Sequence, residues 1–275
     1  VWIPKANGGQ RPLGIPAIRD RVVQTAAKLV MEPIFEADFD ESVYGYRPGR
    51  GALQAVQRAY QALREGKTEV VDADLAQYFD TIPHGALMQC VARRISDGKL
   101  LRLIKQWLKV PVEERDEEGK RRMSGGKRSR KGTPQGGVIS PLLANLYWHR
   151  YVEAYRRSGL AERCGAELIS YADDFVVLCR RDAGKVLEAS RQWLTQSGLT
   201  LNEDKTRVKH VREESFDFLG YTFGLQRSPR TGGCYLGAQP SKKSLCRVKR
   251  HIRGLLRPSN VKPWAQVVEP LNRLL

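Results

Sequence analysis

Aspartates stand together in two segments of the chain, at places where strands are predicted to end. The first segment, VVDADLAQYFD, contains Asp72, Asp74 and Asp80, and the second, YADDFVVL, contains Asp173 and Asp174. Neighbouring carboxylates in an apolar frame repel each other and lose hydration, so a bound cation stabilises them. Mg²⁺ suits such a place because it takes one or two protein carboxylates and completes its shell with water and substrate phosphate. The residues therefore indicate magnesium-dependent chemistry on a phosphate group.

The spacing of these aspartates predicts which of them share a site. If the two predicted strands lie side by side, Asp74 faces Asp173, and two metal ions about 3.5–4 Å apart become feasible. Side chains alternate along a strand, so Asp72 shares a face with Asp74. By the same rule Asp173 and Asp174 cannot both point to that face within one strand. We expect Asp74 and Asp173 to be the main ligands, with Asp174 brought round by the turn. For either segment alone, an Asp-rich turn without any metal is the alternative.

Helical and strand-like patterns alternate around these aspartates. Apolar residues at helical spacing predict helices at 19–36 (with Asp20 as its cap), 52–65, 85–110, 142–157 and 184–196. β-Branched and aromatic runs predict strands at 69–74, 167–171, 175–179 and 216–223, and the opening VWI and LGI predict a further hairpin. This order is typical of an α+β fold. We expect an antiparallel sheet backed by helices rather than a doubly wound parallel sheet.

Positive charge is the most informative feature of the composition. The chain of 275 residues has 47 Lys+Arg against 30 Asp+Glu, a net charge of +17. Such a surface attracts polyanions, of which nucleic acid is the commonest, although a merely soluble basic protein is the alternative. Residues 120–131 and 242–257 each contain seven Lys/Arg and no acidic residue. They are candidates for phosphate contact, the alternative being a solvated helix face. The change of composition at 238–241 predicts a domain boundary.

The five cysteines are scattered and form no CxxC pair. This pattern argues against a disulfide scaffold or a zinc site and suits a reducing cytosol. The sequence contains no apolar run close to the roughly 18 residues that a membrane span requires. It starts with neither an initiator Met nor a signal peptide, so we expect it to be an excerpt from a longer protein.

At this point the motifs carry a family resemblance. Tyr171-Ala-Asp-Asp174 resembles the catalytic box of reverse transcriptases, and Asp74-Leu-Ala-Gln-Tyr-Phe-Asp80 resembles their other metal-binding motif. The segment TPQGGVISP at 133–141 is similar to the one between these motifs in group II intron enzymes. Further matches follow the same order along the chain: IPK at 3–5 with RPLGIP at 11–16, YGYRPG at 44–49, LNEDKT at 201–206 and FLGY at 218–221. The resemblance covers essentially the whole chain.

The resemblance implies a right-hand polymerase fold, with fingers and palm over residues 1–240 and the start of a truncated helical thumb, or maturase domain, over 241–275. It implies synthesis of DNA on an RNA template, with dNTPs, a DNA or RNA primer and two Mg²⁺ ions, for which Mn²⁺ is an alternative. The full-length protein would be bacterial and cytoplasmic, and would bind intron RNA to assist splicing. Alternatives left open are an RNA-binding splicing cofactor with a vestigial polymerase site, a CRISPR-associated reverse transcriptase and an RNA-templated RNA polymerase.

Individual roles follow from the same resemblance, each beside a plainer reading. Asp74, Asp173 and Asp174 would hold the two metal ions. The residues implied to contact the incoming nucleotide are Lys5 and Arg11 at its triphosphate, Phe79 as a steric gate against the ribose 2′-OH, Gln135 at the nucleotide or templating pair, and Lys205 at the leaving pyrophosphate. The residues implied to contact primer or other nucleic acid are Phe218, Leu219, Gly220, Tyr221, Lys242, Lys243, Arg247 and Arg250. The plainer readings are surface charge, a core aromatic, a helix-entry turn and ordinary sheet core.

Overall fold

The computed structural model describes residues 2–4, 10–115, 121–126, 128–257 and 261–274. Its strands are β1 (Trp2–Pro4), β2 (Gln10–Pro12), β3 (Glu69–Asp74), β4 (Pro111–Arg115), β5 (Arg121–Gly125), β6 (Glu167–Tyr171), β7 (Asp174–Cys179), β8 (Arg207–His210), β9 (Phe216–Phe218), β10 (Tyr221–Arg227) and β11 (Cys234–Pro240). Its helices are α1 (Ile18–Glu36), α2 (Ala52–Arg64), α3 (Tyr78–Thr81), α4 (His84–Ala92), α5 (Gly98–Leu108), α6 (Ser140–Arg157), α7 (Leu160–Cys164), α8 (Ala183–Gln196), α9 (Lys242–Leu255) and α10 (Trp264–Leu274).

The central sheet has the order β6-β7-β3-β8, and all its neighbouring strands are antiparallel. Alternation along β3 and β7 divides their side chains between the two faces of this sheet. The face that we call the helix face packs against α4, α5, α6 and α8 and presents Val71, Ala73, Phe175 and Val177. The opposite face, which we call the carboxylate face, packs partly under α2 and the β9–β11 sheet through Val70, Val176 and Leu178. The predicted α+β fold with an antiparallel sheet backed by helices is confirmed.

Helix α6 is the buried support of the helix face. Its first turn contains Pro141, a residue that is well suited to the start of a helix because no amide donor is needed there. The indole N–H of Trp148 donates to the Ser170 hydroxyl in β6 at 3.0 Å. The hydroxyl of Tyr78 donates to the carbonyl of Ala144 in α6 at 2.6 Å. These buried aromatic residues thus keep their polar groups hydrogen-bonded, and they fix α6 against the sheet.

Helices α9 and α10 follow the β9–β11 sheet and pack against each other. Ser241 is the N-cap of α9, and its side chain accepts a hydrogen bond from the amide of Ser244. The amide of Ser241 and the hydroxyl of Ser244 both donate to the carbonyl of Gly220, each at 2.9 Å. The start of α9 is therefore tied to the β9–β10 turn. None of the helices in the described part of the chain combines the length and the apolar character that crossing a membrane demands.

Several local predictions were wrong in position. The second strand of the opening hairpin is Gln10–Pro12 rather than Leu13–Ile15, because Gly14 donates its amide to the carbonyl of Gln135 instead of to β1. The N-cap of α1 is Ala17, and Asp20 lies within the first turn. The predicted helix 85–110 is interrupted between α4 and α5, where the side chain of Asp97 accepts from the amides of Lys99 and Leu100 and so starts a new helix.

Candidate active site

The register of the central sheet brings the aspartates together at one end. The Cα atom of Asp74 is paired with that of Asp174, and Tyr171 is the other neighbour of Asp174 across the hairpin. The prediction that Asp74 faces Asp173 was therefore wrong by one residue. Only Ala172 and Asp173 form the turn, so Asp174 is the first residue of β7 and shares the carboxylate face with Asp74. Asp173 stays close because its carbonyl accepts from the amide of Leu75 at 3.3 Å.

The loop before α2 holds this turn in place. The amide of Tyr44 donates to the carbonyl of Ser170 at 2.9 Å, and the amide of Ser170 donates to the carbonyl of Ser42 at 2.8 Å. The loop thus runs beside β6 like an additional strand. A Cβ atom on Gly45 would lie 2.5 Å from the backbone nitrogen of Ala172, which itself has a φ of +59°. Glycine is needed at residue 45 because the loop and the aspartate turn make backbone contact there.

A buried arginine anchors the same loop, and no prediction from the sequence identified it. The guanidinium of Arg47 donates to the Glu36 carboxylate at 2.7 Å and to the carbonyl of Val43 at 2.9 Å. It also lies over the Phe39 ring, with 5.5 Å from its carbon to the ring centroid. Arginine suits this position because its planar fork satisfies several acceptors at once. The only signal in the sequence is the Tyr-Gly-Tyr-Arg-Pro-Gly segment at 44–49, to which the family resemblance gives no individual role.

Negative charge is concentrated where Asp74, Asp173 and Asp174 meet at the end of the sheet. Loss of water around the Asp174 carboxyl, together with the charges of Asp173 and Asp74, raises its pKa to about 6. Asp174 as a whole residue is nevertheless exposed to solvent. Burial likewise raises the pKa of Asp72, against the opposing effect of its hydrogen bond with Lys209. A bound cation would stabilise these carboxylates in their ionised form.

Lys205 provides a positive charge at this place. Its ammonium donates to the Asp74 carboxylate at 2.6 Å, and this contact raises the pKa of Lys205. The segment around Lys205 is fixed to the end of β3, since the amide of Asn202 donates to the carbonyl of Asp74 at 2.8 Å. The side-chain amide of Asn202 also reaches the Asp74 carboxylate, at 3.3 Å. Asp72 has a separate partner, Lys209, at 3.1 Å, and is therefore set apart from the other three aspartates.

These residues fit a magnesium site that takes its remaining ligands from outside the protein. Throughout the residues that the structure describes, no three His, Cys, Asp or Glu side chains are arranged to hold an ion by themselves. Asp74 is turned toward Lys205, and Mg²⁺ normally takes only one or two protein carboxylates. The donors offered by Asp74, Asp173 and Asp174 are all oxygens, which is the chemistry that Mg²⁺ prefers.

Aromatic side chains line the same end of the sheet. The Phe79 ring is 7% exposed and lies edge to face with Tyr46, with 6.2 Å between their centroids. Tyr46 also approaches Tyr171, with centroids 6.4 Å apart. The side-chain amide of Gln135 donates to both oxygens of Asp80 at 3.0 Å. Gln135 thus lies at this end of the molecule, and its backbone carbonyl accepts a hydrogen bond from the amide of Gly14. Lys5 lies outside the described residues, as does the side chain of Arg11.

The other predicted contact residues lie around the β9–β10 turn and on α9. Phe218 is buried in the core under α2, whereas Leu219 and Tyr221 are half-buried. Leu219 and Gly220 have φ values of +49° and +83°, as a two-residue hairpin turn requires. The predicted cations of α9 are all exposed: Lys242, Lys243, Arg247 and Arg250. The structure therefore assigns Phe218 to packing and leaves the turn and α9 accessible.

The raised pKa of Asp174 predicts an unusual dependence of stability on pH. Above about pH 6, Asp174 is ionised in the folded chain. Ionisation there is less favourable than in the unfolded chain, so it destabilises the fold. Without metal, this destabilisation should diminish as the pH falls from about 6 toward the ordinary value of 3.8. Asp174→Asn should therefore raise the melting temperature in EDTA at pH 7.5, with a smaller gain at pH 5. An equal gain at both pH values would contradict the assigned shift.

Comparison with protein families identifies a model that matches most of the chain. The model is described as reverse transcriptase (RNA-dependent DNA polymerase) and matches residues 3–223. Protein YkfC of Escherichia coli K12 is 36% identical over 269 residues, covering 83% of this chain and 67% of its own length. The group II intron-encoded protein LtrA of Lactococcus lactis is 35% identical over 153 residues, covering 54% of this chain and 24% of LtrA. The chain thus spans only about a quarter of LtrA.

Solved structures show the same fold at low sequence identity. A telomerase from Candida albicans, in complex with a fragment of telomeric RNA, matches 93% of this chain and 46% of its own with a TM-score of 0.58 and 16% identity. The apo telomerase from Candida tropicalis, truncated from its C-terminal domain, matches 80% of this chain and 45% of its own with a TM-score of 0.54 and 16% identity. At this identity the likeness concerns the fold.

Proposed function

Because the chain belongs to the reverse transcriptase family, we propose that it is the polymerase part of an RNA-directed DNA polymerase. It would add deoxynucleotides to a primer 3′-OH, using RNA as the template. The observation that supports this most strongly is the pairing of Asp74 with Asp174 at the end of the central sheet, beside Asp173 in the turn. A protein that only binds RNA has no use for three carboxylates gathered where phosphate must approach.

In this proposal Asp74, Asp173 and Asp174 hold two Mg²⁺ ions, with Mn²⁺ as an alternative. Bound ions would neutralise the phosphoryl group and lower the pKa of the attacking hydroxyl. The primer 3′-OH loses its proton to water and its oxygen forms a bond to the α-phosphorus. The bond between the α-phosphorus and the α–β bridging oxygen breaks, and pyrophosphate leaves. Lys205 contacts Asp74 at 2.6 Å. The ammonium would leave this carboxylate when the metal binds, and would then lie near the departing pyrophosphate.

The remaining contacts are proposed from the surroundings of this site. Lys5, Arg11 and Gln135 would bind the incoming nucleotide, and Gln135 would leave Asp80 to do so. The turn at Leu219, Gly220 and Tyr221 would contact the primer, and the cations of α9 would contact the phosphates of the primer backbone. Residues 1–240 would form the fingers and palm, and residues 241–275 the start of the thumb. We place the protein in the cytoplasm, in keeping with its scattered, unpaired cysteines.

A role in RNA splicing is the second candidate for the full-length protein. LtrA is encoded by a group II intron, and nuclear intron maturases of Arabidopsis thaliana are 32–33% identical to this chain over 94 residues. We propose that the full-length protein also binds intron RNA as a maturase. Splicing assistance that persists after replacement of all three carboxylates would separate this role from DNA synthesis. An enzyme associated with CRISPR adaptation would show no binding preference for intron RNA.

Primer extension tests the polymerase directly. The chain is incubated with an RNA template, a labelled DNA primer and dNTPs in the presence of Mg²⁺, beside the Asp173→Asn variant. Asp204→Asn is the matched control, because Asp204 is an exposed carboxylate next to Lys205. We expect extension by the wild type and by Asp204→Asn and none by Asp173→Asn. Equal extension by all three proteins would overturn the proposed site.

Phe79 should determine the choice between deoxynucleotides and ribonucleotides. Its buried ring is held by Tyr46 and Tyr78, so it cannot easily turn away from a 2′-OH. Phe79→Val removes most of the ring and should increase the use of NTP relative to dNTP roughly tenfold or more. The ratio of kcat/KM for UTP to that for TTP measures this. An unchanged ratio, with dNTP incorporation intact, would assign Phe79 to the core alone.

A further inference from the structure

A groove with a basic rim lies between α4 and α5, away from the carboxylates. Its volume is about 660 Å³. The floor consists of Met88, Leu101 and Leu108, and the basic side chains that line it are Arg102, Lys105, Lys109 and Arg130. No acidic residue lines the described part of the groove. We call this feature the α4–α5 groove. An apolar floor below several cations suits a ligand with a flat apolar part and anionic groups.

The cations of this groove differ from several cations around the central sheet, which are paired with carboxylates. Arg47, Arg58, Lys205 and Lys209 are all in ion pairs with carboxylates. Among the residues that the structure describes, none of the four groove cations has such a partner. Lys109 is half-buried, whereas Arg102, Lys105 and Arg130 are exposed. Their charge is therefore available to an anion from outside.

The arrangement of these cations matches a phosphodiester chain. Arg102 and Lys105 are three residues apart and so lie on one side of α5, and Lys109 is the C-cap residue directly after the helix. The rise along α5 from Arg102 to the C-cap Lys109 is about 10 Å, and a stacked strand has one phosphate about every 3.4 Å along its axis. The row of cations can thus serve about three phosphates. The volume of the groove is sufficient for a nucleobase on the floor.

The groove is separate from the site at Asp74 and Asp174, which we call the template–primer cleft because template and primer would meet there in the proposed reaction. The core residues of α4 and α5, such as Leu87 and Ile104, pack with the helix face of the central sheet. Asp74 and Asp174 belong to the opposite face. A template or primer at the carboxylates therefore leaves the groove open.

The backbone connects the two places. The amide of His84 donates to the carbonyl of Arg130 at 2.9 Å, that of Gly132 donates to Ile82 at 2.8 Å, and that of Thr133 donates to Phe79 at 2.6 Å. The strand-like segment 130–133 thus runs from the rim of the groove to the base of the proposed steric gate. A ligand bound at Arg130 would therefore contact the same segment, 130–133, that supports the proposed nucleotide site at Phe79.

From these observations we propose that the α4–α5 groove is a second nucleic-acid site, which binds single-stranded RNA outside the template–primer cleft. Phosphates lie along Arg102, Lys105 and Lys109, and a base rests on Met88, Leu101 and Leu108. The cations give affinity that does not depend on base sequence but is sensitive to salt. The floor gives a preference for unpaired over paired bases, because only an unstacked base exposes a face. The site does not depend on the metal chemistry.

The test measures binding with the cleft already filled. The chain in EDTA is saturated with an unlabelled RNA–DNA template–primer, and a fluorescein-labelled oligouridylate of 12 residues is titrated by anisotropy. The groove variant is Arg102→Gln/Lys105→Gln/Lys109→Gln. The matched control, Arg157→Gln/Arg163→Gln/Lys185→Gln, removes three exposed cations around α6, α7 and α8. Both variants have the same net charge.

We expect the groove variant to lose roughly tenfold or more in affinity at 100 mM salt, and the slope of log K against log salt to fall by about 2. The control should change less than twofold. An oligouridylate with 4-thiouridine should crosslink to the peptides that contain Met88 or Leu101. Equal loss in both variants, no loss in either, crosslinking elsewhere only, or tighter binding of labelled oligoglutamate than of RNA would each overturn the proposal.

Discussion

Asp74→Asn is expected to lower the rate of primer extension by at least about a thousandfold without unfolding the chain. The substitution keeps the shape of the side chain but removes one negative charge opposite Asp174 and beside Asp173. In the proposed mechanism Asp74 helps to hold two metal ions, so its charge matters more when the ions are bound than when the site is empty. A thousandfold change corresponds to about 4 kcal/mol in the barrier. Single-nucleotide extension at saturating dNTP measures it.

The empty protein should tolerate this change. Lys205, the partner of Asp74, has a side chain that is 65% exposed and can be solvated by water, and the amide oxygen that the substitution introduces can still accept a hydrogen bond from its ammonium. The melting temperature in EDTA should therefore remain within a few degrees of the wild type. Extension within tenfold of the wild type, with normal folding, would remove Asp74 from the catalytic group.

Gly45→Ala is expected to reduce extension about a hundredfold by displacing the aspartate turn. The added methyl group would lie 2.5 Å from the nitrogen of Ala172 and 3.1 Å from the carbonyl carbon of Tyr171, so the aspartate turn must move. Both neighbours are backbone atoms and cannot rotate away. Displacement of reacting groups by about 1 Å is known to cost about a hundredfold in rate. We expect an accompanying loss of about 1–3 kcal/mol in the free energy of unfolding.

The matched control for this prediction is Gly184→Ala. Gly184 lies in the first turn of α8, and a Cβ atom there meets no other atom within 4 Å. This variant should extend the primer normally and be slightly more stable, because alanine favours the helix. Normal extension by Gly45→Ala, at a temperature where both variants are folded, would show that the loop does not position the turn.

Sequence patterns predicted the central elements well because their signals are local. The strand at Glu69–Asp74 is a short β-branched run, and its predicted limits agree with the structure. The hairpin at the second aspartate segment and the helices α2, α6 and α8 were also predicted to within one or two residues. Periodicity and β-branching act over a few residues, so one sequence suffices to locate them.

The register of the hairpin was not predictable from the same patterns. It depends on how many residues form the turn, and a shift of one residue exchanges Asp173 for Asp174 opposite Asp74. The turn is tight because Ala172 adopts a φ of +59°, a conformation for which alanine gives no signal. Contacts between different segments, such as Gly45 with Ala172 or Arg47 with Glu36, have no local pattern in the sequence and so could not be predicted from it.

Binding of Mn²⁺ tests the central claim without any need for catalysis. Free Mn²⁺ is followed by its electron paramagnetic resonance signal during titration with the wild type, Asp74→Asn, Asp174→Asn and the control Asp204→Asn, each with a dNTP present. Our account predicts that the wild type and Asp204→Asn bind the ion with similar affinity, and that each of the other two variants binds it at least about tenfold more weakly. Undiminished Mn²⁺ affinity in both Asp74→Asn and Asp174→Asn would contradict a metal site at this end of the sheet.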